Sequence, residues 1–188
     1  MPTVRLITPL RFEDDRGWFC ESYNARGYAA LGLDDVFVQD NHSLSRATGT
    51  VRGLHFQTPD FAQAKLVRCV RGRIFDVAVD VRRGSPTYGR HVSAELTADN
   101  GTQLYVPVGF AHAFMTLEPD TEVIYKVTAF YAPQCDGGLK FDDPDIDIPW
   151  PLPVGDAIVS AKDAVLPRLR DFDSPFLYDG EPITMTEL

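Results

Sequence analysis

Cysteine and histidine are scarce in this chain of 188 residues, and basic side chains are outnumbered. The three cysteines, Cys20, Cys69 and Cys135, are widely spaced, odd in number and free of any CxxC pair. Neither a disulfide framework nor a cysteine zinc site is suggested, and a reducing, cytoplasmic setting is expected. With 18 basic against 27 acidic residues the net charge is −9. Such a surface repels a polyanion at long range, so no nucleic-acid partner is expected; a small anion held by a few local arginines stays open. No stretch reaches the about 18 apolar residues that a membrane helix needs. Arg5, Arg11, Glu13, Asp14 and Asp15 break up the N-terminal region. Neither a membrane span nor a signal peptide is expected.

What is present is ordinary globular material. The hydrophobic fraction is 44% and the charged fraction 24%, which argues against disorder. The length fits a single domain with a sizeable core, taken as residues 1–188. Alternation dominates the middle of the chain. Phe75, Val77, Val79 and Val81 fall on one face of a strand, with Asp76, Ala78 and Asp80 on the other. From Val123 to Tyr131 the odd positions share a face in the same way. Shorter strand-like runs occupy Val51–Gln57, Lys65–Val70, Val92–Thr97 and Gln103–Pro107, and turn signals such as Asp99-Asn100-Gly101 separate them. Helix is expected only near Tyr23–Leu31 and after Ser160. The pattern predicts an all-β sandwich or barrel, with a Pro-rich C-terminal segment of about 151–188 wrapped over it.

Taken singly, the polar residues of these strands do not declare a function. Alternation through Val51–Gln57 puts Val51, His55 and Gln57 on one face, and Arg52, Leu54 and Phe56 on the other. A lone strand histidine is more often structural. His55, however, keeps polar company in Gln57, Gln63 and Lys65. Lys65 by default is a snorkelling surface lysine, and Tyr125 a core aromatic whose hydroxyl finds a partner. Asp163, in Ser160-Ala161-Lys162-Asp163, reads equally as part of a helix-start capping arrangement.

The whole set is more specific than its members. The runs Asp15-Arg16-Gly17-Trp18-Phe19-Cys20-Glu21, Gln39-Asp40-Asn41-His42-Ser43 and Arg52-Gly53-Leu54-His55-Phe56-Gln57 come first. Lys65-Leu66-Val67-Arg68, Asp76-Val77-Ala78-Val79-Asp80-Val81-Arg82 and Ser85-Pro86-Thr87-Tyr88-Gly89 follow. Then come Val106-Pro107-Val108-Gly109-Phe110-Ala111-His112, Ile124-Tyr125-Lys126, Ile148-Pro149-Trp150-Pro151 and Ser160-Ala161-Lys162-Asp163. In this order, from about residue 3 to about residue 172, the chain resembles the nucleotide-sugar 3,5-epimerases that act on dTDP-4-keto-6-deoxyglucose. The resemblance implies a cupin-type double-stranded β-helix (jelly roll) with short helices near the N- and C-termini. It implies an isomerase that inverts carbons 3 and 5 of a dTDP-linked 4-keto-6-deoxy sugar, without metal or other cofactor.

By the same resemblance His55 is the base and Asp163 its dyad partner. Lys65 faces the oxyanion on carbon 4, and Tyr125 delivers a proton to the opposite face. Arg16 and Arg52 are the anion-binding candidates, with Glu21, Gln39, Asn41, His112, Asp136 and Lys162 lining the rest. Asp76 and Asp80 are candidates to support Arg68 or Lys65, with a structural role equally open. A homodimer is implied, in which an N-terminal segment crosses so that Arg16 serves the neighbour's site. The chain departs from the family pattern at Ala113, Asp136 and Lys140-Phe141-Asp142-Asp143. These departures are expected at the pocket edge. Three other readings compete. A metal-dependent cupin would need a second histidine where Gln57 stands. A catalytically inert sugar-binding module is compatible with the fold alone. A mono-epimerase acting at carbon 3 or carbon 5 only would share the same acid–base set.

Overall fold

The alternating runs become strands in the computed structural model, which describes residues 3–178, 180 and 182–188. Thirteen are found among the described residues. They are β1 (Val4–Ile7), β2 (Arg11–Asp14), β3 (Gly17–Cys20), β4 (Gln39–Ser45), β5 (Val51–Gln57), β6 (Lys65–Arg71) and β7 (Arg73–Asp80). The series continues with β8 (His91–Thr97), β9 (Gln103–Val106), β10 (Phe110–Thr116), β11 (Thr121–Val127), β12 (Asp136–Gly138) and β13 (Met185–Glu187). A six-stranded sheet has the order β13-β1-β9-β6-β11-β4, and a five-stranded sheet the order β12-β5-β10-β7-β8. Strands β2 and β3 form a separate hairpin.

Three apolar layers hold this arrangement. Between the sheets, Val67, Leu104, Val106 and Val123 of the first pack on Ile74, Ala78, Leu96, Phe110 and Phe114 of the second. The outer face of the five-stranded sheet buries Leu54, Val77, Val79, Ala111 and Ala113 under Leu139, Ile146, Ile148 and Phe176. Strand β7 is thus covered on both faces, so its sequence is nearly all apolar apart from its aspartates. The outer face of the six-stranded sheet buries Leu66 and Tyr105 under Tyr28 and Leu33. Each fully buried side chain of this size contributes roughly 1.5–3 kcal/mol, and backbone bonds at Ile158, Pro167, Phe176 and Tyr178 add to the docking of the C-terminal segment. The buried Asp143 adds polar anchorage by accepting from the Leu169 amide at 2.6 Å and the Asp145 amide at 3.0 Å.

Four local expectations change. The N-terminal helix α1 covers only Ala25–Ala30: Asn24 caps it by accepting from the Arg26 and Gly27 amides, and Gly32 at φ +78° ends it. Among the described residues after Ser160 there is no α-helix. Pro167 disfavours helical geometry at Leu166, and only short 3-10 turns form at Asp163–Val165 and Leu169–Asp171. Strand β11 stops at Val127, so Ala129 and Tyr131 lie beyond it.

The fourth change matters most for function. In the β5–β10 pairing His112 stands opposite His55, yet Phe114 stands opposite Arg52. Gly53 and Leu54 therefore oppose the single residue Ala113, which defines a β-bulge. Period-two alternation slips there. Arg52 joins His55 on the inner side, while Val51 is buried with Met115 and Phe141 on the other. Gly53 makes the bulge possible: at φ +128°, a Cβ on it would lie 2.4 Å from the Ala113 Cβ and 2.5 Å from the His112 carbonyl.

Candidate active site

A cavity of about 440 Å³ opens between the sheets, and His55, Lys65, His112, Tyr125, Lys162 and Asp163 all border it. A smaller lobe of about 150 Å³ shares His55, Lys65, Tyr125 and Lys162 and adds Gln39, Asn41 and Asp136. Six strands and the C-terminal segment supply these side chains. His55 comes from β5 and His112 from β10, neighbours in the five-stranded sheet. Tyr125 comes from β11, where it stands between Asn41 of β4 and Val67 of β6 in the other sheet.

The His55 ring is fixed by Asp163, whose Oδ1 lies 2.7 Å from Nε2. A carboxylate only accepts, so Nε2 donates and Nδ1 keeps its lone pair. Asp163 is nearly fully buried. Burial works against its ionisation, but hydrogen bonds and charge from His55, the Gly53 amide and Ser160 outweigh that and hold its carboxyl below the usual range. The capping reading of Ser160-Ala161-Lys162-Asp163 also has a basis, because Ser160 Oγ accepts from the Asp163 amide at 3.0 Å. One short turn does both jobs. It is brought to β5 by backbone bonds that join Ile158 to Gly49 and Val51, each at 2.9 Å.

Lys65 opens β6 and is only 7% exposed, so the snorkelling reading fails. Its ammonium donates to the His55 carbonyl at 3.1 Å. Burial brings its pKa down to about 8, against upward pressure from Asp76 and Asp136. Burial also raises Tyr125, with Arg52 opposing and Asp136 adding, so its phenol keeps its proton at neutral pH. His112 is buried, and its Nε2 lies 2.7 Å from Asp76 Oδ1. Burial lowers its pKa despite Asp76, so the ring is neutral near pH 7.

The remaining candidates divide into two groups. Arg52 is exposed along the cavity, its guanidinium steadied by Ser45 and by the Leu44 carbonyl, each at 3.2 Å. Gln39 donates to Asn41 at 2.9 Å. Lys162 and Asp136 form an ion pair, and the Tyr131 hydroxyl donates to the same carboxylate at 3.2 Å. Arg16 and Glu21 are not brought in. Arg16 sits at the tip of the β2–β3 hairpin, paired with Asp14, and Glu21 is exposed just beyond β3.

Several sequence readings need correction here. Asp80 supports neither Arg68 nor Lys65. It accepts from Arg82 at 3.0 and 2.9 Å, and from Ser85 and Thr87. Of the departures expected at the pocket edge, only Asp136 lies there; Ala113 and Phe141 are core, and Asp143 is the buried anchor described above. Gln57 is a strut whose amide bonds the Phe61 and Phe130 carbonyls and the Ala132 amide. The apolar wall made by Phe114, Ile158 and Val159 was not anticipated, since nothing in those residue types signals a ligand.

The geometry has counterparts among known proteins. A family model described as dTDP-4-dehydrorhamnose 3,5-epimerase matches residues 1–171. A protein of that name from Sinorhizobium fredii is 55% identical over 175 residues, covering 93% of this chain and 89% of its own. A solved epimerase from Legionella pneumophila, in complex with dTDP-4-keto-L-rhamnose, superposes with a TM-score of 0.87 at 40% identity and 93% coverage of each chain. Another from Bacillus anthracis, with TDP and PPi bound, gives a TM-score of 0.84 at 48% identity, covering 87% of this chain and 92% of that one. The fold is the jelly roll that the resemblance implied.

Proposed function

The chain belongs to the dTDP-4-dehydrorhamnose 3,5-epimerase family, and from that premise we propose that it inverts carbons 3 and 5 of dTDP-4-dehydro-6-deoxy-D-glucose to give dTDP-4-dehydro-L-rhamnose. One observation carries the division of labour. The His55–Asp163 dyad and the Tyr125 phenol border one cavity from opposite sheets, with the Lys65 ammonium alongside. The 4-keto group acidifies the protons on both adjacent carbons. His55 Nδ1 takes one of them, and Asp163 stabilises the resulting imidazolium. The electron pair moves onto the carbon-4 oxygen, where Lys65 offsets the developing charge. Tyr125 then gives its proton to the opposite face of the carbon. Exchange with solvent restores both groups, and the sequence repeats at the second carbon.

Arg52 and Lys162 are the groups suited to the diphosphate, with Gln39, Asn41, His112 and Asp136 lining the rest. Only protons move in this scheme, and Lys65 already supplies a cation, so no metal or redox group is drawn into it. The nucleotide and sugar ligands of the Bacillus and Legionella relatives support the substrate class.

The same reading takes residues 1–188 as one unit with the segment of about 151–188 packed over it; positions 1, 2, 179 and 181 lie outside the described residues. It pairs two copies, with the β2–β3 hairpin carrying Arg16 and Glu21 to the neighbour's cavity. The hairpin's apolar side chains support this, for Phe12, Trp18 and Phe19 are 59%, 58% and 69% exposed. Three free cysteines support a cytoplasmic setting. Among the described residues no helix is long and apolar enough to cross a membrane.

The test is turnover of dTDP-4-keto-6-deoxyglucose in heavy water followed by NMR. Deuterium at both carbon 3 and carbon 5 is expected. Label at one carbon alone would make the protein a mono-epimerase.

A further inference from the structure

We infer that Asp76 is a positioning residue of this reaction, a buried counter-charge that keeps Lys65 an ammonium and fixes the tautomer of the His112 ring. Asp76 lies on β7 opposite Phe114 of β10, while His112 stands opposite Ala78. Asp76 and His112 are therefore diagonal neighbours on the inner face of the five-stranded sheet. Asp76 is fully buried in the layer between the sheets, where an apolar residue would serve packing better. Its Oδ1 accepts from His112, which leaves His112 Nδ1 as a lone pair and keeps that ring from competing with Lys65 for the enolate oxygen. Its Oδ2 is buried and, among the described residues, has no hydrogen-bond partner. A buried carboxylate oxygen left in this way is costly unless a nearby positive charge offsets it.

Lys65 is that charge. It is buried, and among the described residues its three donors form a single hydrogen bond, to the neutral His55 carbonyl. The titratable groups that line the cavity with it are His55 on β5, His112 on β10, Tyr125 on β11, Asp136 on β12 and Asp163 and Lys162 on the C-terminal segment; Asp76 on β7 lies behind His112 and acts on Lys65 by its charge. Of the carboxylates, Asp163 is committed to His55 and Asp136 to Lys162. Asp76 is the leading charge favouring the ammonium, ahead of Asp136. Without it, burial would go largely unopposed and Lys65 would lose its proton at a lower pH.

The inference rests on the assignment of Lys65 to the carbon-4 oxygen, and one experiment separates the two. The pH profile of kcat/KM is measured for the unaltered enzyme and for Asp76→Asn, which keeps the shape and removes the charge. In the unaltered enzyme a basic limb near pH 8 is expected from Lys65. In Asp76→Asn that limb should move down by roughly one pH unit or more. A structural role alone would lower the rate at every pH and leave the limb in place, which would overturn the role of Asp76 while sparing that of Lys65. Absence of any basic limb in the unaltered enzyme would remove Lys65 from the reaction, and Asp76 with it. If Asp76→Asn fails to fold, His112→Asn decides, because it retains the Asp76 carboxylate. A limb at or above its original position supports the inference, and a downward displacement contradicts it.

Discussion

At the scale of single residues, each candidate reactive group takes its orientation or its protonation from its surroundings. His55 has Asp163, and Tyr125 is kept neutral chiefly by burial. Lys65 is the residue whose function conflicts with stability. Its pKa in the folded chain is about 8, below the 10.5 of a free lysine, so the folded state binds fewer protons between those two values. Stability attributable to Lys65 therefore rises with pH across that window, while activity that needs the ammonium falls. Lys65→Met removes that pH dependence but also leaves the Asp76 carboxylate without its counter-charge, so any stability advantage of the variant over the unaltered protein should shrink as pH rises from 8 towards 10.5. Urea unfolding at pH 7 and pH 9 checks this; a gap that widens with pH would mean that Lys65 is stabilised by its charge. Sequence pattern alone gave Lys65 the wrong environment, because a lysine opening a strand has no signature of burial. Only the resemblance pointed to its role, and Asp76 was left between two readings because its partner comes from a strand that the sequence does not mark as its neighbour.

At the scale of elements, the strands were readable where a face is continuous and lost where geometry breaks the period. The alternation of β7 is real, and its two apolar sets face two different layers. In β5 the same rule misassigned Arg52 and Val51, since a bulge at Gly53 and Leu54 shifts everything N-terminal to it by one side. The tail helix is cut short for a similar reason, as Pro167 limits it to two 3-10 turns. The bulge has a direct consequence. Gly53→Ala would force a Cβ into Ala113 and the His112 carbonyl at a backbone angle that alanine rarely adopts. It should destabilise the protein by roughly 2–4 kcal/mol and reduce kcat, because His55 and Arg52 flank the bulge. Denaturant unfolding together with steady-state kinetics checks this. An alanine variant with unchanged stability and rate would show that the bulge is not needed to aim the two side chains.

At the scale of the whole molecule, two features set the chemistry. Arg16 and Glu21 lie outside the cavity of their own chain, so a complete site is expected only in a homodimer. Light scattering should give the mass of two chains. Arg16→Ala and His55→Asn, each nearly inactive alone, should recover part of the activity when mixed and allowed to exchange subunits; no recovery would mean that the hairpin does not cross. The second feature is the sandwich itself, whose two sheets bring His55 and Tyr125 to one cavity; in the proposed function they act as base and acid on opposite faces of one sugar ring. That is the central claim, and solvent exchange by Tyr125→Phe tests it most directly. With His55 intact and the phenol removed, NMR in heavy water should show deuterium entering the sugar with little inversion, because the enolate still forms and His55 returns a proton to the face it came from. A general acid contributes about 10²–10⁴-fold, so exchange and inversion should separate clearly. Inversion of both carbons at a near-normal rate by Tyr125→Phe would contradict the account.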